Sequence, residues 1–352
     1  MKTSSSAVSG CVAALLALYA SAAPADWTQR LEADLQRIAD ESPGNLGIYI
    51  KHLGEDEEVS LNADRLWYLG SAAKVPIAVA VLQGVDDGDH ALSDTLALRV
   101  EDKVDGSGQL VWQDPGVEYR IETLLTEMLI ESDNTAANML VRLIGEDSLN
   151  ERTRENMGGR GVERITDFTQ VRRDVYGELH PDARDLGNMD LVRIAAAPFS
   201  QPRYRAVANM LDVPTSELQA PSLEEAYDRY YARNINAASL EAYGRLLEKL
   251  VKGELLSESS LTKLYADMKI DSYDAYRLEA GLPSDVPFIQ KTGTQLGQAC
   301  HVGVIDPAAE DQATTVIVLA CAEHLDENKE AGQAFELIGE AITRTVLRGM
   351  DD

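Results

Sequence analysis

YLGSAAKVPIAVAVL spans Tyr68 to Leu82 and sets a serine and a lysine three residues apart at the head of an otherwise apolar run. A helix this rich in Ala and Val belongs in an interior. An ammonium group gains nothing there and almost never stays without a partner. Ser71 and Lys74 stand at i and i+3, so the first turn of a helix brings them to one face. The backbone N–H groups at a helix start lack intrahelical partners and suit an oxyanion. A lysine one turn on can orient a serine hydroxyl or, with its charge disfavoured, take its proton. Alone the pair is a weak signal, because a helix cap followed by a lysine laying its stem along apolar surface spells the same letters.

Outward from that stretch the period is mostly helical from Arg65 to about Met268, and it is flanked by strand-like runs. Asp26 to Glu41 reads as a first helix. NLGIYIKH (Asn45–His52) and EEVSLN read as paired strands joined by the acidic turn LGED. VPFIQKTGT, ACHVGVI and TTVIVLA return to strand character near the end, and Ala331 to Leu347 closes as an amphipathic helix. Strands at both ends with helices between them predict one sheet built from the two termini, with a helical lobe inserted after the second strand. Ligands then favour the cleft between the lobes. Neither internal repeats nor an interdomain linker interrupt the pattern.

The chain has 352 residues and a net charge of -27, from 32 Lys+Arg against 59 Asp+Glu. This balance argues against nucleic acid or an anionic membrane as partner. The acids are spread along the chain and read as a solvated surface, of a kind compatible with salt adaptation. Residues 1–22 read as an export signal: Lys2, an apolar core from Cys11 to Tyr19, and the small-residue site Ala20-Ser21-Ala22. The core is too short to span a bilayer. VSGC (Val8–Cys11) is not a lipidation box, since the apolar stretch follows the cysteine. The expected product is periplasmic or secreted, with no membrane contact once the signal is removed. Removal leaves Cys300 and Cys321, nearly opposite in a hairpin centred on DPAAEDQA. Either a disulfide or two inert buried thiols fits that placement.

Two further stretches change the odds for Ser71 and Lys74. IESDNTAANML carries Ser132-Asp133-Asn134, and FIQKTGTQLG carries Lys291-Thr292-Gly293 at the end of an apolar strand, where glycine admits a substrate close to the backbone. In this order the three motifs form the signature of active-site-serine enzymes that recognise penicillins. The chain most closely resembles the class A β-lactamases, from roughly Asp26 to Leu347 with one large gap in the middle. SDNTAANML is far more specific than its triplet. The resemblance implies an α/β (α+β) fold, a three-layer α/β/α sandwich with an antiparallel sheet from both termini and an inserted all-helical lobe. Its single catalytic domain would cover 23–352, with a sheet lobe at about 26–64 and 283–352 and a helical lobe at about 65–282.

The same resemblance implies acyl transfer. Ser71 would attack the amide carbonyl, Lys74 would activate it directly or through water, and Ser132 would pass a proton to the leaving nitrogen. Asn134 would hold the substrate's side-chain amide and help fix Lys74. Lys291 would supply positive potential for the substrate carboxylate and for Ser132, beside the hydroxyls of Thr292 and Thr294. The N–H groups of Ser71 and Thr294 would form the oxyanion hole, and Asp133 would brace its loop. Neither a cofactor nor a metal is called for, and the histidines show no metal-ligand spacing.

Three departures stand out. Class A enzymes deacylate with a glutamate in Glu-x-x-Leu-Asn. The string EDSLN (Glu146–Asn150) starts only 14 positions after Ser132 (146 − 132), inside a helical run, and reads as a decoy. Thr169 or its neighbours fall where the glutamate is expected. Ser132 and Lys291 lie 159 positions apart (291 − 132), roughly fifty more than the motif set usually spans. The excess falls at about 170–233 and is expected to form an enlarged lid. Asp174, Glu178 and Asp182 become candidate bases, each otherwise a surface charge. Second, the arginine that clasps the substrate carboxylate is missing from its usual place, where Cys300 and His301 stand. Third, the gatekeeping loop VDGSGQLVW offers Ser107 and Trp112, the latter either lining the cleft or packing in the core.

Three readings follow. The first is a serine hydrolase that hydrolyses small-molecule β-lactam amides. The second is a penicillin-binding D-Ala-D-Ala carboxypeptidase or esterase acting on cell-wall peptides, with slow deacylation. The third is a non-catalytic binding protein on the same fold.

Overall fold

Leu46, Ile48 and Ile50 alternate with Gly47, Tyr49 and Lys51 along β1 (Asn45–His52), and this period of two divides the strand between two cores. Leu46, Ile48 and Ile50 pack with Leu31 and Leu35 of α1 (Trp27–Glu41) and with Phe335, while Tyr49 faces the opposite side. The computed structural model describes residues 26–269 and 275–348, so the export signal read at 1–22 lies outside the described residues.

After β1 come its sheet neighbour β2 (Glu57–Leu61) and the short β3 (Leu66–Tyr68). The chain then enters α2 (Lys74–Asp86), passes β4 (Thr95–Ala97) and β5 (Glu118–Arg120), and continues into α3 (Ile121–Leu129), α4 (Asn134–Ile144) and α5 (Glu146–Asn156). Next come α6 (Phe168–Leu179), α7 (Asn188–Ala195), α8 (Gln201–Met210) and α9 (Leu223–Tyr231). After β6 (Ala237–Ser239) follow α10 (Leu240–Val251) and α11 (Glu258–Met268). The chain returns to strand in β7 (Phe288–Gln295), β8 (Gln298–Ile305) and β9 (Val316–Glu323), and α12 (Lys329–Ile342) follows them.

The main sheet is antiparallel in the order β2-β1-β9-β8-β7, so strands from both ends of the chain interleave as expected. Helices α1 and α12 cover one face, and the helical lobe covers the other. The fold is therefore a three-layer α/β/α sandwich, as expected. Along β9 the same alternation sends Val316, Val318 and Ala320 to the outer helices, and Ile317, Leu319 and Cys321 to the lobe. β7 is an edge strand, and its free side borders the cleft. The pairs β3–β6 and β4–β5 were not visible in the sequence, since three residues are too few to set a period. Cys300 and Cys321 pair across β8 and β9 and are joined by a disulfide, which closes the choice left open above.

The inserted stretch does not form the expected lid. Helices α6 to α9 build a core of their own from Val171, Val175, Tyr176, Leu191, Tyr227 and Tyr230, and no residue of 170–233 lines the cleft. The segment has enough apolar side chains to bury against itself, so it folds as a helical layer. It also reaches both sides of the cleft. The buried pair Arg172–Asp105 (2.8 Å) grips the loop ahead of Ser107, and the Tyr231 hydroxyl donates to the Leu296 carbonyl (2.9 Å) in the β7–β8 turn.

Candidate active site

Gly70 to Ala73 form one 3₁₀ turn ahead of α2. At three residues per turn, Ser71 and Lys74 are nearly eclipsed, and the Lys74 Nζ donates to the Ser71 Oγ at 3.1 Å. Gly70 has φ +53°, a conformation costly for any residue with a Cβ. At Gly293 a Cβ would overlap the Leu69 carbonyl oxygen, so β7 can press against this turn only without a side chain there.

Lys74 is wholly buried and lies among acceptors. Besides the Ser71 hydroxyl, its Nζ lies within hydrogen-bonding distance of the Ser132 carbonyl (2.5 Å), the Ser132 hydroxyl (3.1 Å) and Asn134 Oδ1 (2.7 Å), more oxygens than its N–H groups can serve at once. Burial, and then the positive charge of Lys291, push its pKa well below the ordinary lysine value. A neutral amine can accept the serine proton. Ser132 itself stands at φ +56°, a left-handed conformation held from both sides. The Asp133 N–H donates to the Glu127 carbonyl (2.9 Å), and the Asn134 N–H donates to that of Ser107 (3.1 Å). Asp133 caps α4 by accepting from Ala136 N (2.8 Å) and also accepts from Leu110 N (2.9 Å), which is the bracing expected of it.

Lys291 enters from β7 and is 1% exposed. Burial, followed by the nearby Arg277 guanidinium, lowers its pKa to about 7. A cavity of about 650 Å³ is lined by Ser71, Ser132, Lys291, Thr292 and Thr294, together with Ser107, Glu127, Glu131 and Tyr276. The three distant motifs thus converge on one volume. Trp112 does neither thing expected of it, being 65% exposed and outside the cavity lining.

The place opposite Lys74, on the side of α6, is filled by hydrocarbon. The Phe168 ring centre lies 4.6 Å from the Lys74 Nζ. Its backbone is fixed there by Asn138, whose Oδ1 accepts the Phe168 N–H (2.8 Å) and whose amide donates to Thr169 (2.9 Å). The candidate bases do not come to the cleft. Asp174 is ion-paired with Arg233 (3.3 Å), Glu178 with Arg184 (3.4 Å) and Arg233 (3.7 Å), and Asp182 is exposed beside His180. The decoy string serves the scaffold instead. Glu146 pairs with Arg164, and Asn150 binds the Ile165 backbone in both directions (2.7 and 2.8 Å), so α5 pins the segment leading to Phe168.

A buried arginine stands behind Thr294, at a place that carries no sequence signal. Arg277 lies on a 3₁₀ turn at 277–281, has φ +57° and is buried. It donates to the Gly293 (3.2 Å) and Cys300 (3.1 Å) carbonyls, to Thr294 Oγ1 (2.9 Å) and to the Glu327 carbonyl (2.9 Å). No local motif marks it, and only the folded sheet edge brings it behind Thr294.

Comparison with known proteins places this geometry. The profile of the β-lactamase enzyme family matches residues 30–346. The chain belongs to the β-lactamase family. Beta-lactamase OXY-2 of Klebsiella oxytoca is 23% identical over 97% of this chain and 99% of that protein. Beta-lactamase CTX-M-6 of Salmonella typhimurium is 26% identical over 87% and 86%. Among solved structures, an acyl-enzyme complex of a PBP-A variant with penicillin-G superposes with a TM-score of 0.66 at 18% identity, covering 91% of this chain and 97% of that one. A β-lactamase from Sphaerobacter thermophilus superposes at 0.64 and 24%, covering 92% and 98%. This β-lactamase-family chain is thus a hydrolase with the family's fold, and it carries an aromatic ring beside its buried lysine.

Proposed function

We propose that this protein is an exported serine hydrolase whose Ser71 is acylated by β-lactam amides and released slowly. Lys74, whose charged form is disfavoured by burial and by the neighbouring Lys291, takes the Ser71 proton as the hydroxyl oxygen attacks the ring carbonyl. The N–H groups of Ser71 and Thr294 receive the developing oxyanion. Ser132, hydrogen-bonded to Lys74, gives its own proton to the ring nitrogen as the nitrogen's bond to the carbonyl carbon breaks, and takes in exchange the proton that Lys74 received from Ser71. Lys291, with Arg277 behind Thr294, supplies the positive potential that holds the substrate carboxylate. Asn134, anchored between Lys74 and the Asp105 carbonyl (2.8 Å), is placed to meet the side-chain amide. The Cys300–Cys321 bridge fits export to an oxidising compartment.

Phe168 beside Lys74 carries the claim of slow release. Hydrolysis of the ester needs a base to draw a proton from water, and a phenyl ring offers none. Phe168→Glu tests it directly. A carboxylate there is expected to raise the deacylation rate by roughly 100-fold while leaving acylation within a few-fold, as read by the decay of a benzylpenicillin adduct. A parent enzyme that already turns benzylpenicillin over within seconds, or a variant no faster than its parent, would overturn this reading.

A further inference from the structure

His301 sits at 0% exposure on β8, paired across the sheet with Thr292. Its neighbours fix both ring nitrogens. Gln290 donates its amide to Glu279 Oε2 (2.7 Å), which turns the Gln290 carbonyl oxygen toward His301 Nε2, so that nitrogen carries the proton. Nδ1 is then the acceptor for the Leu278 N–H (3.3 Å). Burial, together with the nearby Arg277 and Lys291 charges, keeps the ring neutral. Leu278 and Glu279 follow Arg277 on the same 3₁₀ turn, so two sheet residues staple that turn at consecutive positions. Tyr276, just ahead of it, stacks on the imidazole and hydrogen-bonds Thr292 Oγ1 (3.0 Å).

An arginine held at φ +57° needs such support, because the left-handed conformation is costly for a residue with a side chain. The geometry points to His301 as a positioning residue for substrate carboxylate recognition, acting through the Glu279–Gln290–His301–Leu278 chain that holds Arg277 against Thr294. His301 touches no substrate; it fixes the backbone from which the guanidinium reaches Thr294 Oγ1, a residue of the cavity lining. The inference rests on the acylation reading above.

The test compares second-order acylation rate constants for benzylpenicillin and for benzylpenicillin methyl ester, which lacks the carboxylate charge. His301→Leu is expected to lose on the order of 10- to 100-fold toward benzylpenicillin, mainly through weaker binding, and less than about threefold toward the ester. His301→Asn places an acceptor where Nδ1 stood and is expected to recover most of the loss. Arg277→Ala should show the same selective loss, and adding His301→Leu to it should lose little more, since both act on one interaction. If His301→Leu fails to fold by circular dichroism, His301→Gln carries the test, because it can still meet Gln290 but leaves the Leu278 N–H without its acceptor. Equal losses on both ligands, or additive losses with Arg277→Ala, would overturn the inference. A parent that neither ligand acylates would overturn the acylation reading itself, and this inference with it.

Discussion

In the proposed mechanism Lys74 and Lys291 are two buried amines with opposite roles, and their titration separates them. Lys74 must be neutral to accept a proton, and its pKa lies well below the ordinary lysine value. Lys291 must be charged to attract a carboxylate, and its pKa is about 7. The second-order acylation rate reports groups of the free enzyme. For a carboxylate-bearing β-lactam it is therefore expected to fall as pH rises through about 7, where Lys291 loses its proton. Lys291→Arg, which stays charged, should hold its rate to about pH 9 or above, at a lower level because the fork replaces a compact ammonium. A parent profile flat from about pH 6 to 9 would exclude this role for Lys291. Ser71, Lys74, Ser132 and Lys291 were legible as letters because each sits in a short motif with its own spacing. Arg277 and Phe168 were not. The first has no motif, and the second marks a family position by lacking the expected carboxylate.

Among the elements, α6 does more than its place in the inserted segment implied. It carries Phe168 at one end, and through Arg172 it holds Asp105, whose carbonyl accepts the Asn134 amide. Both side chains of that ion pair are about nine-tenths buried, so removing one leaves the other charged without a partner. Arg172→Leu is expected to cost about 3–5 kcal/mol in urea unfolding and to slow acylation as Asn134 loses its anchor. A change below about 1 kcal/mol would show that the pair does not brace the loop. The lid expectation failed for a related reason. Length alone shows that a segment is extra; which surface it packs on depends on where Val171, Val175, Tyr176 and Tyr227 find partners, and they find one another. The sheet was easier to read, since alternating apolar residues in β1 and β9 specify two buried faces from sequence alone.

Over the whole molecule, 59 acids against 32 basic residues leave a net charge of -27. Self-repulsion of that size favours expanded states and is screened within roughly 10 Å at about 0.1 M salt. The melting temperature is therefore expected to rise by several degrees between about 0.05 and 1 M sodium chloride. A constant or falling value would mean that local ion pairs outweigh the net charge. The coarse architecture followed from the order of strand and helix runs, because a sheet made from both termini requires a helical insertion between them. Its functional volume required the closed fold, in which β7 meets the turn before α2 only because Gly293 lacks a side chain.

The central claim is that Ser71 forms a long-lived ester with β-lactams, and intact mass measured over time after mixing with benzylpenicillin tests it most directly. Ring opening expels no atoms, so the expected gain equals the full ligand mass, maps to Ser71, persists for minutes or longer and is absent from Ser71→Ala. No adduct on the parent, or an equal adduct on Ser71→Ala, would contradict it.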